Sequence, residues 1–216
     1  MHQLLIATNN QGKIKELHEL LDDLGIQLVT PSQIGLDLDV VEDGHTYTEN
    51  ATRKALAFAQ ASGLVSLADD SGLEVDALDG APGLYSARYG SSHSLPPSRQ
   101  GEVDGAAGGR LSDGERRKYL IGKLQDKPRP WTAHFHATIA IATPGQDVHV
   151  VEGDCYGEII PEERGTNGFG YDPIFLFSEL NKTMAELEME EKNRLSHRAR
   201  AVINAIPILK KIQPPG

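Results

Sequence analysis

The chain has one cysteine, Cys155, among 216 residues. An internal disulfide framework is therefore excluded, and no grouping of Cys and His has zinc-site spacing, so a reducing compartment is the simplest expectation. Long apolar runs are also missing. The opening run, residues 4–7, is far shorter than a signal-peptide core, and no stretch approaches the roughly 20 apolar residues of a membrane span. The expectation is a soluble, cytoplasmic protein without a membrane partner. Positive charge is scarce: 21 Lys+Arg face 31 Asp+Glu, a formal net charge of -10. Residues 1–108 hold 16 acidic and 6 basic groups, while residues 109–216 hold 15 of each. Neither half offers the cationic excess of a groove that follows a nucleic-acid backbone, so no nucleic-acid partner is expected. Any polyanion must be met by a local pocket. A single nucleotide with bound metal fits that requirement.

What is present reads as α/β. The length allows a full core, as one domain of residues 1–216 or as two closely fused lobes. Residues 4–7 form a short buried strand, and Ile14, Leu17, Leu20, Leu21 and Leu24 then recur at helical spacing until Gly25. A second strand covers 26–30. Residues 48–59 predict a helix with a small-residue face, and the strand 64–68 ends at Asp69-Asp70-Ser71-Gly72, where open α/β sheets commonly bind ligands. The stretch 90–113 has five glycines and two adjacent prolines, which predicts a flexible excursion. A short basic helix at 115–124, two long strands at 133–143 and 147–157, a short strand at 174–177 and an acidic helix at 183–191 follow. The terminal helix starts near Ser196 with Ala199, Val202, Ile203 and Ile206 as its buried stripe.

Several groups carry chemistry. Lys13 falls in the first turn of its helix, where backbone N–H groups and the helix dipole already favour a phosphate; Thr8 and Asn10 add short-range donors. Ordinary capping beside a solvated lysine is the plainer alternative. The segment is not a Walker loop, and no dinucleotide glycine fingerprint follows the first strand. Asp69 and Asp70, adjacent on an extended strand, point to opposite sides, so one faces the ligand while the other supports the scaffold, unless both simply cap a turn. The ligand-facing carboxylate suits Mg²⁺ or a water-activating base, and Glu42 supplies a second metal carboxylate. Ser196 is an N-cap, which places His197 and Arg198 in a first turn where cations oppose the dipole. A bound phosphate removes that conflict, and Lys192 adds positive charge upstream. Phe169 and Tyr171, set among glycines, form a flat wall for a base or pin a turn, and Asp172 precedes Pro173, which restrains it. Trp131 reads as core or interface. His134 and His136 share a strand face without a third metal ligand, His93 supports no role, and Cys155 reads as an inert buried thiol.

Together these segments resemble the inosine/xanthosine triphosphate pyrophosphatase family. The resemblance rests on Ala7-Thr8-Asn9-Asn10-Gln11-Gly12-Lys13 with Glu16, on Glu42-Asp43-Gly44 and Thr48-Glu49-Asn50-Ala51, and on Ala68-Asp69-Asp70-Ser71-Gly72-Leu73. It continues through Gly80-Ala81-Pro82-Gly83, Tyr85-Ser86-Ala87-Arg88-Tyr89, Gly168-Phe169-Gly170-Tyr171-Asp172-Pro173-Ile174-Phe175, Lys182-Thr183-Met184-Ala185-Glu186-Leu187, and Lys192 with Ser196-His197-Arg198. It implies hydrolysis of dITP, ITP or XTP between the α and β phosphates. It also implies an elongated two-lobed α/β fold, a central mixed sheet flanked by helices with an active-site cleft between the lobes, and a homodimer. By that resemblance Lys13 and Lys192 bind phosphate with Thr8 and Asn10, Glu42 and Asp70 hold Mg²⁺, and Asp70 activates water. Ser71 shapes the adjoining turn, Phe169 stacks on the purine with Gly170 and Tyr171 beside it, and Asp172, His197 and Arg198 read the base. The chain departs from the family in the glycine-rich stretch after Tyr89 and at Trp131, where many members have arginine. A pyrophosphatase for modified pyrimidine nucleotides, or a nucleotide-binding regulator without turnover, are the alternative functions.

Overall fold

The computed structural model of the chain describes residues 3–91 and 111–212. Its open seven-stranded sheet has the order β2-β1-β3-β4-β5-β6-β7. The strands are β1 Gln3–Ile6, β2 Gln27–Val29, β3 Val65–Val75, β4 Trp131–Ala142, β5 Val148–Ile159, β6 Phe175–Phe177 and β7 Lys182–Thr183. β1 runs parallel to both β2 and β3, whereas β6 is antiparallel to β5 and β7, so the sheet is mixed as expected. The helices are α1 Gln11–Leu21, α2 Tyr47–Ser62, α3 Asp113–Leu124, α4 Met189–Leu195 and α5 His197–Leu209.

The chain forms two compact units. One comprises Met1–Ser71, His136–Asp154 and Asn193–Gly216; the other comprises Gly72–Phe135 and Cys155–Lys192. The chain passes between them within β3, β4, β5 and α4. In the first unit, the two-residue period of β1 splits its apolar run between two layers. Leu4 and Ile6 join Leu17 and Leu21 of α1 and Val202 and Ala205 of α5, while Leu5 and Ala7 join Ala51, Ala55 and Phe58 of α2. This double-sided burial explains why the opening strand is a continuous apolar run instead of an alternating one. The second unit has its own core of Leu73, Val75, Leu120, Trp131, Phe135 and Phe175.

Three expectations are corrected. β3 does not stop before Asp69-Asp70 but runs eleven residues to Val75. The turn-forming composition of 69–72 is overridden because cations from other elements meet the carboxylates and Ser86 Oγ accepts from the Leu73 N–H at 2.8 Å. The acidic segment 183–191 is not one helix: Lys182–Thr183 pairs with β6, Met184–Glu186 makes a single 3-10 turn closed by a Thr183/Glu186 capping box, and α4 begins only at Met189. In α5, Ala199 and Val202 are buried as expected, but Ile203 is exposed and Ala205 and Leu209 complete the stripe. Of the glycine-rich stretch 90–113, residues 92–110, including His93, lie outside the described residues. Among the described residues no helix is long and apolar enough to cross a membrane.

Candidate active site

Two sets of polar side chains stand out, one in each unit. In the first unit, Asn10 caps α1: its Oδ1 accepts from the N–H groups of Gly12 at 2.9 Å and Lys13 at 3.2 Å. Thr8 Oγ1 accepts from the Asn10 N–H at 3.2 Å, fixing the turn between β1 and α1. The two amides expected to await a phosphate are thus met by Asn10. Lys13 reaches across to β3, where its Nζ donates to Asp69 Oδ1 at 2.6 Å and to the Asp69 carbonyl at 3.2 Å.

Asp69 is buried, and its second oxygen accepts from Arg198 Nε at 2.6 Å. Arg198, 2% exposed, also donates to Glu16 Oε2 and, from Nη2, to Ser71 Oγ at 3.1 Å. Burial alone would raise the Asp69 pKa, but Arg198 and Lys13 outweigh it and hold the carboxyl well below the usual range. Burial likewise opposes the Arg198 charge, and Asp69 and Glu16 overcome it. Arg198 does not need a phosphate to offset the helix dipole, because carboxylates from α1 and β3 do so. His197 is buried at the start of α5, with Ser196 Oγ accepting from the Ala199 N–H at 3.2 Å as the expected N-cap.

Asp70, the next residue along β3, faces the other way and is only partly shielded. Burial pushes its carboxyl pKa up, Lys13 and Lys54 pull it down, Glu42 raises it further, and a hydrogen bond from Asn50 lowers it; the net direction is upward. Its Oδ2 is buried without a hydrogen-bond partner. Glu42 is ion-paired through Oε1 with Lys54. Asn50 and Lys54, four residues apart on α2, present one helix face to this group. Asn50 Oδ1 also accepts from the Gly44 N–H at 2.8 Å, an approach that only glycine permits, since a Cβ there would lie 2.6 Å from Asn50 Oδ1. Two neighbouring carboxylates, two lysines and an unsatisfied buried oxygen make this grouping a candidate for the chemistry. Among the described residues no three His, Cys, Asp or Glu side chains are gathered to hold a metal.

In the second unit, the loop between β5 and β6 folds back through left-handed glycines on both sides of Phe169, Gly168 at φ +76° and Gly170 at φ +60°. Asp172 accepts from the Phe169 N–H at 2.9 Å and from Lys192 Nζ at 2.6 Å. Lys192 is buried, with its ammonium 5.5 Å from the centre of the Phe169 ring. The structure therefore groups Lys192 with the aromatic residue and Asp172. Tyr171 is given to the core: it is buried and its hydroxyl donates to the Ser86 carbonyl at 2.9 Å, so its ring is not a ligand wall. A Cβ on Gly168 would lie 2.0 Å from Asp172 Oδ2 and 2.9 Å from Lys192 Nζ, so glycine there is required by both φ and space.

Sequence reasoning left Asp69 as the alternative to Asp70 for the water-activating base and gave no role to Glu16, Asn50 or Lys54, or to the α3 residues Asp113 and Arg117, which contact Gly170. The four-residue spacing of Asn50 and Lys54 was the one sequence clue to a shared face. His136, paired with Asp154 at 2.7 Å and Thr138 at 2.9 Å, and His134, stacked on Tyr156, are packing residues. Cys155 is buried, as expected.

The chain matches the Ham1 family over residues 4–208. It is 44% identical over 211 residues to a dITP/XTP pyrophosphatase of Desulforamulus reducens, covering 97% of this chain and 96% of that protein. A dITP/XTP pyrophosphatase of Gloeobacter violaceus is 47% identical over 94% of this chain and 91% of its own length. Among solved structures, a HAM1 protein from Coxiella burnetii aligns with a TM-score of 0.80 at 36% identity, covering 98% of this chain and 100% of that one. The Staphylococcus aureus Ham1 protein aligns at 0.78 with 38% identity, covering 96% and 98%. With motifs, nearly full-length identity and fold in agreement, the chain belongs to the Ham1 family.

Proposed function

We propose that this enzyme hydrolyses non-canonical purine nucleoside triphosphates, dITP, ITP and XTP, to the monophosphate and pyrophosphate. The observation that carries the reading is the contrast between Asp69 and Asp70. Two adjacent carboxylates on one strand have opposite environments: Asp69 is saturated by Lys13 and Arg198, whereas Asp70 keeps an unpartnered oxygen and a raised pKa. Groups whose environments drive them apart in this way divide support from proton transfer. Asp70 is therefore the base: it takes the proton of a water that bonds to the α phosphorus as the bridging bond to the β phosphate breaks and pyrophosphate leaves. Asp69 cannot serve, because both of its oxygens already accept from cations.

Lys13, with Thr8, Asn10 and Ser71 beside it, binds the phosphates, and Lys54 adds a second charge near the same carboxylates. The hard oxygens of Glu42 and Asp70 fit Mg²⁺, which commonly takes one or two protein carboxylates and completes its shell from phosphate and water. When bound, that ion would neutralise phosphate charge at the leaving group. Phe169 stacks on the purine, with Gly170 and the Tyr171 backbone beside it. Lys192 and Asp172 supply donor and acceptor edges to the base, a role supported by their contact with the ring and with each other. A site built to donate to a 6-oxygen rejects an amino group there, because buried donors would be left unpaired. Arg198 acts by fixing Asp69 and Ser71, and the family resemblance makes His197 a base-reading residue. The family resemblance supports a homodimer, and clearing the nucleotide pool is work for the cytoplasm.

The test is release of pyrophosphate by purified protein with Mg²⁺ across dITP, ITP, XTP and the ordinary triphosphates. Turnover confined to the first three is expected. Release of single phosphate, or equal turnover of ATP, would sink the reading.

A further inference from the structure

The loop that carries Phe169 is anchored from outside by α3. Gly170 donates its N–H to Asp113 Oδ2 at 2.7 Å, and its carbonyl accepts from Arg117 Nη1 at 2.8 Å. Both backbone groups of the residue next to Phe169 are thus held by side chains one helical turn apart on α3. Arg117 is in turn anchored: its Nη2 donates to Glu163 Oε2 at 2.7 Å, and its side chain is 14% exposed. Asp113 is braced by an ion pair with Arg116.

The geometry makes this contact consequential. Gly168 and Gly170 both have positive φ, so Phe169 rides between two left-handed residues instead of on a hydrogen-bonded strand. On its inner side Phe169 is tied by Asp172, which accepts its N–H and donates its own N–H to the Phe169 carbonyl at 3.2 Å. Glycine flanks widen the conformations open to the loop, so the hold of the α3 pair on the next peptide acts together with Asp172 to limit where Phe169 can sit.

We propose that Asp113 and Arg117 are positioning residues for base binding: they hold Gly170 and thereby preset the Phe169 ring, without touching the nucleotide themselves. The proposal rests on the reading of Phe169 as the purine platform. Preorganisation of this kind lowers the cost of ordering a binding loop and acts on substrate affinity more than on the chemical step.

The experiment compares Arg117→Met, Arg117→Lys, Phe169→Ala and the double variant Arg117→Met/Phe169→Ala in dITP hydrolysis, with melting curves to verify folding. Arg117→Met should raise KM about tenfold, the size of one charge-assisted hydrogen bond, with kcat within about twofold. Arg117→Lys should recover part of that loss. In the Phe169→Ala background, where no ring is left to position, Arg117→Met should add less than about twofold. Asp113→Ala, at a half-exposed position, tests the other bond and should also raise KM severalfold at constant kcat. The clamp is overturned if Arg117→Met and Asp113→Ala keep normal KM while Phe169→Ala raises it, if they lower kcat alone, or if their effects add fully to that of Phe169→Ala. An unchanged KM in Phe169→Ala itself would instead remove the platform reading, and the clamp with it.

Discussion

Arg198 offers the sharpest test of how the phosphate side of the site is built. Its guanidinium is 2% exposed and faces Asp69, Glu16 and Ser71. Arg198→Met keeps the length of the side chain and removes the charge. Asp69 would retain Lys13, but Glu16 would lose this ion pair, so two carboxylates would be left undercompensated in the interior. Breaking a buried ion cluster from one side costs about 3–5 kcal/mol. At about 2–4 °C per kcal/mol for a chain of this size, the melting temperature should fall by roughly 6–20 °C. The pH dependence has a definite sign. The Asp69 pKa is depressed in the folded protein, so its contribution to stability is fully present above its unfolded value and is lost as pH falls toward the folded one. Without Arg198 that contribution shrinks. The gap between wild type and variant should therefore be widest near neutrality and narrow as pH falls through about 4, where protonated carboxyls need no counter-ion. Glu16→Gln in the same chain should recover about 1–3 kcal/mol. Thermal unfolding followed by circular dichroism, with chelator present, measures all three. A variant that melts like wild type at pH 7 but loses its preference for dITP over dATP would refute the reasoning, because Arg198 would then be reading the base and not holding the cluster.

Asp70→Asn should lower kcat by about 10²–10⁴-fold, the usual reach of a general base, and a loss below tenfold would place the base elsewhere. Because burial raises the Asp70 pKa, the folded state holds that proton more tightly than the unfolded chain does. Ionised Asp70 therefore subtracts stability as pH rises, and the Asn variant should melt at or above the wild-type temperature at pH 7 in chelator. Glu42→Gln should raise the Mg²⁺ concentration for half-maximal turnover severalfold while leaving dITP binding in chelator unchanged, as a titration by calorimetry would reveal. Gly168→Ala should raise KM for dITP by at least tenfold, since the new methyl meets Asp172 and the residue must keep φ +76°; steady-state kinetics with an unchanged KM would contradict it.

The local elements were legible because their periods and caps are written in neighbouring residues. The apolar spacing from Ile14 to Leu24, the stop at Gly25 and the Ser196 cap all appear in the structure. The motifs likewise marked the segments around Lys13, Asp70 and Phe169. The length of β3 was not legible, because Asp69-Asp70-Ser71-Gly72 has the composition of a turn and is held as a strand within the sheet, with its Asp69 charge met by cations from residues 13 and 198. The acidic segment 183–191 misled for a similar reason: the Thr183/Glu186 capping box and the pairing of β7 with β6 win over helix propensity.

By itself the sequence determined the α/β class, the family and the chemical inventory, two carboxylates beside lysines and an aromatic residue between glycines. Only the tertiary structure decided which charge answers which. It gave Asp69 to Lys13 and Arg198, left Asp70 with an unpartnered oxygen, moved Lys192 to the side of Phe169 and Tyr171 into the core, and brought α3 onto Gly170. The reason is physical: an ionisable side chain takes its protonation and its role from the charges and burial around it, and those come from residues far away in the chain.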